Sequence, residues 1–101
     1  MRIIFTDQSF ESLEESIQFL LTVQGVPLEK VLEIRDQLLD KADSLITNPY
    51  IGQYEAYLEH LEKGHRRLIE GNFKIIYRIE SGYIYITDFF DTRQDLEKMK
   101  G

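Results

Sequence analysis

His65-Arg66-Arg67-Leu68-Ile69-Glu70-Gly71-Asn72-Phe73-Lys74-Ile75-Ile76-Tyr77-Arg78-Ile79 reads as two strands and the turn that joins them. With Gly71-Asn72 as a two-residue hairpin loop, Ile69 pairs with Lys74, Arg67 with Ile76 and His65 with Arg78. Side chains of directly paired residues share a face. One face then carries His65, Arg67, Ile69, Lys74, Ile76 and Arg78. The other carries Leu68, Phe73, Ile75, Tyr77 and Ile79. The second face is apolar and is expected to receive helices. The first is basic and is expected to be open. A further turn at Ser81-Gly82 leads into a third strand. That strand adds Tyr83, Tyr85, Thr87 and Phe89 to the open face and Ile84, Ile86 and Phe90 to the core. Asp88 falls on the core side, a conflict that a bulge or a position near the sheet edge would resolve.

Upstream of this meander, Arg2–Thr6 has the β-branched and aromatic character of a short strand. Asp7 or Ser9 is expected to cap a first helix, with Glu11 adding to an acidic first turn. Phe10, Leu13, Ile17, Leu20 and Leu21 recur at helical spacing. Gly25-Val26-Pro27 ends that helix and Pro27 opens the next. Val31, Ile34, Leu38, Leu39, Ala42, Leu45 and Ile46 form one apolar stripe, with Glu29, Glu33, Asp36 and Asp40 off it. Asn48-Pro49 stops the second helix. The short link predicts an antiparallel helical hairpin. Residues 49–63 read as loop with at most a turn of helix, pinned by Tyr50, Tyr54, Tyr57, Leu58 and Leu61. The expected fold class is α+β: an N-terminal strand, then a helical hairpin packed on a curved antiparallel sheet. One domain spans 1–101, since 101 residues leave no room for a second core.

The net charge of −6 conceals an asymmetry. Residues 1–62 hold four Lys/Arg and twelve Asp/Glu, whereas residues 63–101 hold eight and six. General attraction to nucleic acid is disfavoured for such a chain, but an anionic partner of the second half fits. The absence of Cys excludes disulfides and Cys-based zinc sites. No stretch has the roughly 20 apolar residues of a membrane span, and the N-terminus lacks a signal-peptide pattern. The chain is expected to be complete and cytoplasmic.

His65, Arg67, Lys74 and Arg78 are the strongest constellation. Arg supplies planar bidentate donors for phosphate or carboxylate, Lys a point charge, and His a group that titrates near neutrality. Tyr83 and Tyr85 beside them have the shape of a stacking platform, although strand tyrosines are more often packing residues. A solvated sheet face explains the same residues, and the residues alone leave both readings open. His60 and His65 do not have metal-ligand spacing, so no metal and no cofactor is expected. No nucleophile elbow, P-loop or dinucleotide fingerprint occurs.

The ordered set of strand, helical hairpin, Asn48-Pro49-Tyr50-Ile51-Gly52, His65-Arg66-Arg67-Leu68, Gly71 to Ile79 and Asp91-Thr92-Arg93-Gln94-Asp95 resembles the RelE/ParE superfamily of type II toxin–antitoxin toxins. These are often described as plasmid stabilisation proteins. The resemblance implies a growth inhibitor neutralised by a cognate antitoxin, whose acidic segment would cover the toxin at rest. RelE-like members cleave mRNA on the ribosome with cations of the open sheet face; ParE-like members lack that set and poison DNA gyrase. The candidate catalytic residues under the first reading are His65, Arg67, Lys74 and Arg93, with His65 as base and a cation stabilising the phosphate. The closing Leu96–Gly101 offers no Tyr or His, and the acidic balance is unlike that of ribosome-directed toxins. Both features, and the Asp91–Asp95 ending, favour a ParE-like, non-enzymatic toxin, with the ribosome-dependent endoribonuclease as the alternative.

Overall fold

The computed structural model describes residues 1–101. β1 (Arg2–Phe5) is followed by α1 (Asp7–Thr22) and α2 (Leu28–Asp43). β2 (Gln53–Tyr54), β3 (Arg66–Glu70), β4 (Phe73–Glu80) and β5 (Tyr83–Asp91) follow. Short 3₁₀ turns at Ser44–Ile46, Ala56–Leu61 and Leu96–Lys98 complete the chain. The five strands form one sheet in the order β1-β5-β4-β3-β2. β1 lies parallel to β5 and every other neighbour is antiparallel. No helix is long and apolar enough to cross a membrane.

The hairpin register is the expected one: Ile69 faces Lys74 and Arg67 faces Ile76. Gly71, first of the two loop residues, has φ +57°, which a side chain disfavours and which suits a type II′ turn. The pairing stops at Arg66 opposite Tyr77, so His65 lies just outside the ladder. β5 departs from simple alternation. Ile76 faces Asp88 but Tyr77 faces Ile86, so Thr87 is an extra residue in a bulge. The bulge reverses the expected faces of Phe89 and Phe90. Phe89 joins the helix-side core, and Phe90 goes to the opposite face with Asp88. The apparent misplacement of Asp88 is thereby resolved.

α1 is capped by Thr6, not by Asp7 or Ser9: the Thr6 hydroxyl accepts from the Ser9 amide at 3.2 Å. Ser9, Ser12 and Ser16 are buried, a small-residue edge that brings α1 close to the sheet. Ser12 Oγ accepts the Phe89 amide at 3.1 Å, satisfying a donor next to the bulge. Phe10 and Ile46, assigned to the apolar stripes, are half-exposed. Leu13, Leu38, Ala42, Leu45, Leu68, Phe73, Ile75, Tyr77, Ile84, Ile86 and Phe89 form the main core between helices and sheet.

Residues 49–63 are more ordered than a loop. Gln53 and Tyr54 add a fifth strand beside β3, and Leu58 of the following 3₁₀ turn is buried. Tyr50, Tyr54 and Tyr57 are all exposed and do not pin this segment by burial. The buried Tyr77 does so instead. Its hydroxyl donates to the Pro49 carbonyl and accepts from the Gly52 amide, both at 2.9 Å. Tyr77→Phe is expected to destabilise the chain by about 1–3 kcal/mol, because two buried backbone groups lose their partner. An unchanged urea midpoint would show that water replaces the hydroxyl.

Candidate functional site

β4 presents Lys74, Ile76 and Arg78 in alternation on the face away from the helices. That face is not open. Ile76 is wholly buried under Leu58, Phe90 and Met99, a second apolar cluster separate from the main core. The 3₁₀ turn supplies Leu58 and the C-terminal segment supplies Met99, so both cross this side of the sheet. The plug divides the predicted basic face in two.

On one side lie Arg67 and Lys74, about one-fifth exposed, and between them Glu55, whose side chain is only 4% exposed. Lys74 Nζ meets Glu55 Oε1 at 2.8 Å, and Arg67 Nη1 lies 3.8 Å from the same oxygen. Arg67 also donates to the Tyr54 carbonyl and to Gln53 Oε1. Burial pushes the Glu55 carboxyl up. The Lys74 ammonium, the Tyr57 amide and the Arg67 guanidinium outweigh that and hold it below the usual carboxylate range. Both cations are therefore spent on holding β2 and the 3₁₀ turn to the sheet.

On the other side Arg78 pairs with Glu80 and lies 4.5 Å above the Tyr85 ring. Tyr83 and Tyr85 are neighbours, with centroids 6.2 Å apart. Arg78, Tyr83 and Tyr85 thus form one accessible patch at the β4–β5 end of the face.

His65 is 3% exposed and neither ring nitrogen has a hydrogen-bond partner. Burial, with Arg78 and Lys63 nearby, pushes its pKa below the ordinary histidine range and favours the neutral ring. Gly101 presses against it: a Cβ there would sit 2.9 Å from two ring atoms. Arg93 is not gathered with His65, Arg67 and Lys74. It makes a bidentate pair with the buried Asp91, at 2.9 and 2.7 Å, and borders a cleft of about 720 Å³ between α1 and the C-terminal segment. The structure thus brings Arg67 with Lys74, and Arg78 with Tyr83 and Tyr85; it buries His65 near Arg78 and leaves Arg93 apart from both groups.

Sequence reasoning missed Glu55, the buried anion around which two cations are organised. It also missed Arg66, whose guanidinium lies 4.2 Å over the Tyr54 ring and 5.3 Å over the Tyr50 ring while donating to the Gly52 carbonyl. The only signal for either was the density of charge and tyrosine in a segment without periodicity.

Comparison with known proteins is consistent with this architecture. A chain of the chromosomal ParDE toxin–antitoxin system of P. aeruginosa superposes with a TM-score of 0.73, at 17% identity, over 90% of this chain and 95% of that one. At that identity the likeness shows the fold. No curated protein matches the sequence. The model of the family described as "ParE toxin of type II toxin-antitoxin system, parDE" matches residues 3–96, nearly the whole chain. The chain belongs to the ParE toxin family of type II toxin–antitoxin systems.

Proposed function

We propose that this toxin inhibits growth by binding DNA gyrase, without chemistry of its own, and that a cognate antitoxin encoded with it holds it in check. One observation carries the choice of target: the cations that would grip and polarise an RNA phosphate are each engaged by an acid of the chain itself. Lys74 and Arg67 share Glu55, Arg78 pairs with Glu80, and Arg93 pairs with Asp91. His65, the candidate base, is sealed from solvent. Transition-state stabilisation of a phosphate needs positive groups aimed at the reacting oxygens, and paired cations supply little of it. A protein-binding toxin needs only a surface. Arg78, Tyr83 and Tyr85 offer one of the residue types that dominate protein interfaces, and they are the part of the basic face proposed to contact the target.

The test is to express the chain alone and follow plasmid supercoiling and mRNA 5′ ends in the same cells. Gyrase-dependent DNA damage with intact mRNA is the expected result. Codon-phased cuts that require translating ribosomes would establish the endoribonuclease reading instead. Neutralisation by the product of the adjacent reading frame is expected, and its failure would remove the antitoxin from the proposal.

A further inference from the structure

The two edges of the sheet are finished differently. At the β2 edge most backbone groups that aim outward are taken. The Gly52 amide donates to the Tyr77 hydroxyl, the Gly52 carbonyl accepts from Arg66 and the Tyr54 carbonyl accepts from Arg67. Beyond β2, alternation leaves β3 a single outward residue, Ile69. At the opposite edge α1 covers the second half of β5. Gln8 Nε2 donates to the Thr87 carbonyl at 3.0 Å, and Ser12 Oγ accepts the Phe89 amide. Only β1 is left open. The Thr6 amide donates to the Ile86 carbonyl, which makes Ile4 the residue of β1 that bonds to β5 on either side of its Cα. Ile3 and Phe5 therefore turn their amides and carbonyls to the free edge, and no turn or helix of the chain takes them up. An unpaired edge of this kind is a template for another strand. Its surroundings are apolar. Ile4 and Phe10 are exposed, as is Ile46 of the 3₁₀ turn packed beside β1. Phe10 stacks on Phe5 with centroids 5.5 Å apart. Arg2 and Asp7, at the two ends of β1, are exposed, and neither has an ion-pair partner in the chain.

We infer that β1 is the docking edge for a second copy of this chain, paired antiparallel about a two-fold axis at Ile4. The inference holds whatever the toxin's target. One register uses both outward residues of each copy. It sets Ile3 opposite the second copy's Phe5, and Phe5 opposite its Ile3, and each such pair exchanges both of its hydrogen bonds. Ile4 then meets Ile4 across the axis as a close, non-hydrogen-bonded pair. Arg2 falls opposite Thr6, beside the first turn of the second copy's α1, where Asp7 is exposed. The two-fold axis repeats this contact at the other end of the strand pair. The charge pattern selects the occupant. A second copy brings a cation for Asp7 and an anion for Arg2. An acidic segment of another protein would match Arg2 but set its charge against Asp7 and Glu11, both exposed. The strip is short, so the dimer is concentration-dependent and not permanent. Pairing extends the sheet across both copies. Arg2 and Ile4 share the face of Tyr83 and Tyr85, so the two Arg78–Tyr83–Tyr85 patches come to lie on one continuous surface.

Sedimentation equilibrium of the intact chain without its antitoxin is expected to show a mass that rises with concentration from 12.0 kDa toward twice that value. Over the same range the Ile3 and Phe5 amides are expected to gain exchange protection, while the outward Tyr54 amide on the far edge does not. Ile4→Lys sets two ammonium groups face to face on the axis and is expected to weaken association by about tenfold or more. Arg2→Asp and Asp7→Arg are each expected to weaken it. Together they are expected to restore it, because the charge pair is then reversed and not removed. All three positions are exposed, so the urea midpoint at low concentration serves to check that each variant is folded. A chain that stays monomeric at millimolar concentration would overturn the inference. So would a dimer indifferent to Ile4→Lys, or a double charge reversal that restores nothing. Protection of the Ile3 and Phe5 amides that appears only when the antitoxin is added would overturn it too, and would give this edge to the antitoxin. Should Ile4→Lys fail to fold, amide exchange in the unmodified chain and the charge reversal decide the matter.

Discussion

A chain carrying Arg67→Ala together with Lys74→Ala is expected to lose about 3 kcal/mol of stability, the scale of a buried ion left without its partner. Solvent-facing side chains on an open sheet would predict the opposite, a fold left intact. The difference is Glu55. Its side chain is 4% exposed, and its carboxylate is compensated by Lys74 at 2.8 Å and Arg67 at 3.8 Å. Removing both cations leaves a desolvated carboxylate with only the Tyr57 amide for company. Two further results follow from this cause. Adding Glu55→Gln to the double variant should recover much of the loss, because no charge is then stranded. The gap between the double variant and the unmodified chain should also narrow in acid. With its folded pKa depressed, Glu55 contributes stability above the unfolded carboxylate value, and that stability is lost as pH falls through the folded value. Protonated Glu55 no longer needs the cations. Urea unfolding at neutral and acid pH measures all of this, and a double variant as stable as its parent would show that Glu55 reaches water.

The contrast between that result and the residue pattern shows where sequence is legible. The hairpin register follows from local chemistry: a two-residue Gly-Asn loop fixes the pairing, and alternation then assigns each face. Likewise the helical stripes and the breaks at Gly25 and Pro49 depend on neighbours within a few residues. The conflict at Asp88 was visible as a conflict, and the bulge at Thr87 is the device that removes it. What alternation cannot report is what lies over a face. The plug of Leu58, Ile76, Phe90 and Met99 draws on four separate parts of the chain, and two of them lack any period. His65 and Glu55 are buried by those same irregular segments, so their environments are illegible in the sequence, although the strand that follows His65 is not; the strand before Glu55 is itself hidden in what reads as loop. Composition reports the basic character of this face but not which charges are paired: Glu55, which meets Lys74 and Arg67, lies in a segment without periodicity, whereas the partners of Arg78 and Arg93, Glu80 and Asp91, are only two residues away in sequence.

Gly52→Ala is expected to be as damaging, about 3 kcal/mol, through overpacking and the loss of buried hydrogen bonds. Gly52 needs no unusual dihedral; it needs room. A Cβ at that position would lie 2.5 Å from the Tyr77 hydroxyl, 2.6 Å from the Arg67 carbonyl and 2.8 Å from Tyr77 Cε1. Tyr77 is fully buried in the main core and cannot swing aside. The Arg67 carbonyl belongs to β3 and cannot retreat without disturbing its ladder. The yielding element is the 49–54 segment, which would detach from β3. Detachment breaks the Tyr77 bonds to Pro49 and Gly52 and the Arg66 bond to the Gly52 carbonyl. It also carries Glu55 away from Lys74, since Glu55 follows β2 directly and its amide donates to the His65 carbonyl at 2.9 Å. The two substitutions should therefore be non-additive: once Gly52→Ala has released this segment, removing Arg67 and Lys74 costs less than it does alone. Adding Tyr77→Phe to Gly52→Ala should relieve the closest contact but not the one with the Arg67 carbonyl, so recovery would be partial. Full additivity in the combined variants, or a loss below about 1 kcal/mol for Gly52→Ala, would mean that β2 and the sheet are not coupled through this contact.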